Sequence, residues 1–384
     1  MPWDETTRMS QRLRFISDFE SCQFTMTQLC ERYGISRKTG YKWADRFAQE
    51  GVGGLEDRPH VAKSFPHQMS SETSQRVLEL RGRFPSWGPR KLRAWLEKHH
   101  PGEQPWPAAS TIGDLLKRNG LVESRSTRRR PLPPRPPRVE ATSPNEVWSG
   151  DFKGQFRMGN ARLCYPLTIS DGFSRYLLAC DGLETPSGAG CKRVFERLFR
   201  EYGLPRAILT DNGSPFASSR ALGRLSQLSV WWIKLGIRPV LIEPGHPEQN
   251  GRHERMHRTL KAETTRPPAA DGARQQERFE HFRRIYNEQR PHESLGQIPP
   301  AEVYKSSLRP YPSRLEPWEY PGHFEVRMVR RTGEIQWRGR SLFVSEALQR
   351  ERLGLEEVEE GLWAVYLGPV QLAHLDEQER RMYG

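Results

Sequence analysis

From Ser124 to Glu140 the chain reads SRSTRRRPLPPRPPRVE, and between Arg125 and Arg138 it carries six arginines and five prolines. Such a stretch cannot enclose a core. Proline holds the backbone extended and guanidinium groups stay hydrated. The residues before it and after it must therefore fold around separate apolar interiors. Arginine also binds phosphate well, so Arg128, Arg129 and Arg130 are candidate contacts for a polyanion, while a plain solvated spacer remains the simpler reading of 124–140.

The part before the linker reads as all-α. Leu13, Ile16 and Phe19 mark one apolar face. In TQLCERYGISRKTGYKWADRF a short helix over Thr27–Tyr33 is followed by Gly34, which tolerates positive φ. Ser36 then caps a second helix over Arg37–Phe47. This is helix-turn-helix grammar, in which the second helix enters a major groove. Arg37, Lys38, Lys42 and Arg46 are its candidate DNA contacts, with a helical hairpin bearing a solvated charged face as the alternative. We place this domain at 10–58. A second helix-turn-helix domain at 66–123 has Val77, Leu80, Phe84, Leu92, Trp95 and Leu96 inside, and Ser110 capping a last helix that ends at Gly120.

After the linker, 141–308 alternates short strands and helices. Strands are predicted at Val147–Phe156, Leu163–Ser170, Tyr176–Cys180, Arg206–Thr210 and Ile237–Ile242. Helices are predicted at Pro186–Tyr202, Leu222–Leu235, Pro247–Glu263 and Glu277–Gln289. Such an order implies an α/β domain with a mixed sheet covered on both faces. The alternating residues of 320–378 predict a small β-barrel.

Charge narrows the partner. The formal net charge is +13, from 60 Lys+Arg against 47 Asp+Glu, which favours nucleic acid. No apolar run approaches the roughly 20 residues of a membrane helix. The five cysteines show no CxxC spacing, as in a reduced, cytoplasmic protein, here one associated with the nucleoid.

Three acidic residues carry the chemistry. Asp151 lies in VWSGDFKG and shares a strand face with Val147 and Ser149. Asp211, in LTDNGSPF, directly follows a short strand, and the Asn212-Gly213 turn can aim amides at phosphate. Glu254 lies in PGHPEQNGRHERMHRTLK, on a helix face with Asn250, Arg258 and Lys261, opposite Met256 and Leu260. Few carboxylates suffice for Mg²⁺ or Mn²⁺, and divalent ions can activate one oxygen and stabilise another in phosphodiester chemistry. Taken singly, each acid has a bland reading: a strand-edge residue, a turn former, a salt-bridged surface residue. His253 and His257 have zinc-like spacing but lack a third soft ligand, so phosphate contact or simple surface is expected.

These motifs, V-W-x-x-D-F, L-x-T-D-N-G-x-x-F and P-x-H-P-x-x-N-G-x-x-E-R-x-H-R-T-L-K, resemble the catalytic core shared by retroviral integrases and insertion-sequence transposases. The likeness covers 141–305 most strongly, with YNEQRPHESLGQIPPAEVY at its end. It implies a ribonuclease-H-like fold and an Asp-Asp-Glu triad at Asp151, Asp211 and Glu254, which would be both catalytic and metal-binding. Glu248 competes for the third place, being 37 residues from Asp211 where Glu254 is 43; Asn250-Gly251, at the family's spacing, favours Glu254. Asn250, Arg258 and Lys261 would contact DNA. The tandem helix-turn-helix units resemble the transposase branch, and the zinc-binding His/Cys module of retroviral integrases is missing from the sequence. The resemblance implies cleavage of double-stranded transposon ends, joining to target DNA, and a homo-oligomer on DNA. Nothing in the residues bears on an accessory ATPase. Two rival readings are a domesticated, non-catalytic DNA-binding regulator and a nuclease for RNA–DNA hybrids.

Overall fold

Thr7, Thr25 and Ser36 start three helices by one device: each hydroxyl accepts a hydrogen bond from the backbone amide three residues on. The computed structural model describes residues 7–58, 69–103, 105–122, 139–218, 221–243, 246, 249, 251–379 and 381–383. Arg128, Arg129, Arg130, Glu248 and Asn250 lie outside the described residues. Two units emerge, Met1–Gln68 and Met69–Gly384.

In the first unit, α1 (Arg8–Glu20), α2 (Met26–Tyr33) and α3 (Arg37–Glu50) enclose Phe15, Ile16, Leu29, Cys30, Trp43 and Leu55. Gly34 ends α2 at φ 62°. At Gly40 a Cβ would come within 2.6 Å of the Cys30 sulfur, so the helix crossing itself requires glycine. Leu13 and Phe19, expected inside, are 38% and 37% exposed. Ile16 is buried as expected, with the adjacent Phe15 inside beside it, which leaves Leu13 and Phe19 on the flanks.

The second unit begins with α4 (Ser71–Arg83), α5 (Pro89–His99) and α6 (Ala109–Arg118), packed around Val77, Phe84, Trp87, Leu92, Leu96 and Ile112. Ser110 does not cap α6: the helix starts at Ala109, from Ala108, with no side-chain cap. This bundle is joined to the α/β layer behind it. Lys91 donates to the Pro291 carbonyl, and its ammonium, pushed down to about 8 by burial, is held there. Arg90 pairs with Glu293 at 2.5 Å, Lys98 pairs with Glu302, and Ser86 and Arg290 share Glu263.

The central sheet comprises β1 (Val147–Phe152), β2 (Phe156–Arg157), β3 (Leu163–Asp171), β4 (Leu177–Leu183), β5 (Ala207–Thr210) and β6 (Arg238–Leu241). Its order is β4-β3-β1-β5-β6, with β2 continuing along β3 past the end of β1. β1 to β4 pair antiparallel, while β1-β5 and β5-β6 pair parallel, so the sheet is mixed as expected. On one face, α7 (Gly188–Tyr202) and α8 (Gln227–Lys234) bury Trp148, Ile169, Phe195, Phe199 and Trp232. On the other, α9 (Gly251–Thr264) and α10 (Gly272–Glu288) bury Cys164, Leu177, Cys180, Met256, Leu260 and Phe279. Three elements differ from expectation in where they begin or end. α8 begins only after Ser226, whose hydroxyl caps it; α10 begins five residues early, at the Asp271 cap; and β1 stops at Phe152.

Among the described residues the C-terminal strands do not close into a barrel. β7 (Glu325–Met328), β10 (Arg352–Glu359), β11 (Leu362–Leu367), β12 (Val370–Asp376) and β13 (Arg381–Tyr383) form an open antiparallel sheet in the order β13-β12-β11-β10-β7. β8 (Glu334–Trp337) and β9 (Arg340–Phe343) make a separate hairpin. Along β7 alternation does not mark the buried face, since Val326 and Met328 are 41% and 51% exposed, and closure needs pairing between β7 and β13, about which alternation carries no information. Among the described residues no helix is long and apolar enough to cross a membrane.

Candidate active site

The strand register brings two of the three acids level. Gly150 of β1 pairs with Thr210 of β5, so the next residues, Asp151 and Asp211, stand side by side at the ends of neighbouring parallel strands. On its other side Asp151 lies opposite Thr168 of β3. Asp211 is fixed by its own turn. The Gly213 amide donates to Asp211 Oδ1 at 3.1 Å, and Asn212 Nδ2 donates to the Ile242 carbonyl at 2.8 Å. That Gly213 amide, expected to face phosphate, is therefore turned onto the Asp211 carboxylate.

The third acid comes from α9. His253, Met256, His257, Leu260 and Thr264 form its buried stripe, and Glu254, Arg255, Arg258 and Lys261 are exposed. Met256 and Leu260 anchor the helix opposite Glu254, as the spacing implied. The histidines depart from expectation: they are 2% and 3% exposed and lie against Thr168. With apolar residues at i+3 and i+7 from His253, both histidines fall on the core side, so neither is a surface residue nor a phosphate contact. Burial pushes His253 down to about 4. Burial, then His253 and Lys153, push His257 down to about 2, so both rings are neutral at physiological pH.

The electrostatics link the acids. The Asp151 side chain is 18% exposed, and its carboxyl is pushed up to about 7. Burial is the first cause and the Asp211 carboxylate the next. The Phe152 amide and Lys153 oppose the rise, and Glu254 adds a smaller push in the same direction. With the charges of Asp211 and Glu254 both raising the proton affinity of Asp151, three anionic oxygen donors suit a hard divalent cation, which relieves that repulsion. As they stand they are neighbours and not a closed cage: among the described residues no three His, Cys, Asp or Glu side chains are gathered closely enough to hold a metal ion.

The candidate duplex contacts of α3 divide. Arg37, Lys38 and Lys42 are exposed, while Arg46 is half-buried and lies 5.2 Å over the Trp43 ring. Tyr41 on the same helix is 54% exposed. Thr168 and Lys153 were missed. No local motif marks either residue, although the histidine spacing combined with Met256 and Leu260 could have shown that α9 buries polar groups.

Known families match nearly every part of the chain. Integrase core domain models match 141–247 and 235–300, a helix-turn-helix domain matches 11–63, a homeodomain-like domain matches 39–116, and the C-terminal domain of IS481 family transposases matches 324–382. The 39.2 kDa protein of insertion element IS476 from Xanthomonas euvesicatoria is 30% identical over 239 residues. The 31.7 kDa protein of insertion element IS407 from Burkholderia multivorans is 29% identical over the same length. The chain belongs to the integrase-like insertion-sequence transposase family. Each of these family alignments covers 62% of the chain; they span 66% of the IS476 protein and 82% of the IS407 protein. Solved structures resemble it more loosely. The HTLV-2 integrase catalytic core in complex with magnesium aligns at 15% identity and a TM-score of 0.35, over 43% of this chain and 100% of that one. A chain of the simian T-cell lymphotropic virus intasome in complex with PP2A regulatory subunit B56 gamma aligns at 17% and 0.37, over 77% and 97%.

Proposed function

We propose that the chain is a transposase that cuts DNA at the ends of its element and joins the freed 3′-hydroxyl to target DNA, with Asp151, Asp211 and Glu254 as the reacting carboxylates. The observation that carries this reading is the convergence of the three acids, Asp151 and Asp211 level on neighbouring strands and Glu254 near enough to add to the rise of the buried Asp151 carboxyl, beside the exposed Arg258 and Lys261. Asp151, Asp211 and Glu254 would hold Mg²⁺ or Mn²⁺. A bound cation would supply activation of the attacking oxygen and stabilisation of the leaving one.

The remaining roles follow from chemistry and exposure. Arg258 and Lys261 position phosphates beside the acids, together with Asn250. Arg37, Lys38, Lys42 and Arg46 hold the duplex, and the run Arg128–Arg130 follows its backbone. Joining two ends to one target calls for more than one copy of the chain on DNA. The reaction belongs in the bacterial cytoplasm, on the nucleoid.

The test uses duplexes carrying the inverted repeats that flank the coding region. Asp151→Asn should retain end binding in a gel-shift and lose Mg²⁺-dependent cleavage and joining. Joining by Asp151→Asn at the wild-type rate sinks the assignment. A wild-type protein that binds ends but never cuts them points to a DNA-binding regulator.

A further inference from the structure

Thr168 is fully buried, and its single hydroxyl meets three groups. The Asp151 backbone oxygen lies at 3.1 Å, His257 Nε2 at 2.6 Å and His253 Nε2 at 2.7 Å. A hydroxyl has one proton to give and can accept two. The carbonyl oxygen can only accept, so the hydroxyl proton goes to it. Both imidazoles must then donate from Nε2. This leaves each Nδ1 without a proton. Ser170 Oγ, 3.4 Å away, is placed to donate to that of His253. The Nδ1 of His257 faces Asp151 Oδ2 at 3.7 Å, and the protonated form of that carboxyl can donate to it. With all three contacts made as hydrogen bonds the proton count closes, and it ties β1, β3 and α9 together at a single oxygen.

We propose that Thr168 is a positioning residue: its hydroxyl locks both histidine tautomers and thereby the rotation of α9 that keeps Glu254 beside Asp151 and Asp211. The proposal rests on reading those acids as the reacting carboxylates. Glu254 follows His253 by one residue and precedes His257 by three, so it turns with them. A side chain about 6 Å from a helix axis moves about 2 Å for a rotation of about 20°. That displacement equals a whole Mg²⁺–oxygen distance, about 2.1 Å. Packing of Met256 and Leu260 is non-directional and tolerates such a rotation; two hydrogen bonds to one oxygen do not.

The test compares wild type, Thr168→Val and Thr168→Ser in the full chain. Side-chain ¹⁵N spectra of the wild-type histidines should show two neutral rings protonated at Nε2. Mn²⁺ binding followed by electron paramagnetic resonance should weaken about 10- to 100-fold in Thr168→Val, the usual effect of losing a group that orients a metal ligand. Thr168→Ser should restore it, and gel-shifts with terminal DNA should be the same for all three. A proton on Nδ1 of either buried histidine in the wild type overturns the proposal. So does a folded Thr168→Val with wild-type Mn²⁺ affinity. If Thr168→Val fails to fold, the wild-type spectra and Thr168→Ser decide. A wild-type protein that neither binds Mn²⁺ nor joins DNA overturns the functional reading, and the positioning role with it, even where the spectra show the expected tautomers.

Discussion

Removing the charge at position 151 should make the protein more stable at alkaline pH while abolishing its chemistry. The Asp151 carboxyl goes from an ordinary 3.8 to about 7 on folding. A difference of about three pH units corresponds to about 4 kcal/mol of charge strain in the folded state. The sign follows from proton counts. Between pH 4 and 7 the folded chain holds a proton at this site that the unfolded chain has lost, so stability falls as pH rises through that window and levels off above it. Asp151→Asn removes this dependence, and the introduced amide can donate to the bare Nδ1 of His257. Allowing for the partly exposed carboxylate, the stability difference between Asp151→Asn and wild type should grow by about 2 kcal/mol from pH 5 to pH 8. Urea unfolding in the absence of divalent ions, followed by tryptophan fluorescence, measures it, since Trp148 is buried on the same strand. Adding Mg²⁺ at pH 8 should then stabilise the wild type and not the variant. A stability difference that stays flat between pH 5 and pH 8 would refute the reasoning, because it would mean that Asp151 is ionised without strain.

Other substitutions probe separate parts of the same design. Glu254→Gln should reduce joining at least about 100-fold while leaving the urea midpoint within about 0.5 kcal/mol, because the side chain is exposed; a strand-transfer time course reads it. Gly213→Ala would place a Cβ 3.2 Å from Asp211 Oδ2, and the crowded carboxylate should raise the Mg²⁺ concentration needed for cleavage about tenfold, as measured by metal titration. Asn145→Ala should cost about 2–4 kcal/mol in urea unfolding. It strips the acceptor from the buried Trp148 indole and from the Tyr304 hydroxyl, each 2.9 Å from Asn145 Oδ1, and the donor from the Lys305 carbonyl.

The parts of this molecule that could be read in advance are those encoded by neighbours in the chain. Ala207–Thr210 ahead of Asp211 announces a strand end, and Gly34-Ile35-Ser36 announces a turn and a cap, because each signal lies within a few residues of its effect. The alternation of apolar and exposed positions along α9 put Glu254 outside and Met256 inside. What escaped depends on distant partners. Thr168 lies 85 residues from His253 and 89 from His257, and no periodicity in β3 singles it out. Phe15 displaced Leu13 from the interior because of what α2 and Leu55 present to it. The attachment of α4–α6 to the sheet domain rests on pairs such as Arg90–Glu293, 203 residues apart. The open C-terminal sheet does not follow from alternation, which misplaces the wet side of β7 and says nothing of whether the first strand meets the last.

That attachment has a consequence for how a cut site would be chosen. Lys91, Arg90, Lys98 and Ser86 tie the α4–α6 bundle to the layer that carries Asp151. A DNA end gripped by α6 would arrive at the carboxylates with a set offset, counted in base pairs from the sequence it reads. Kept intact on DNA, the joint would act as a ruler, with its calibration in a lysine, two ion pairs and one serine.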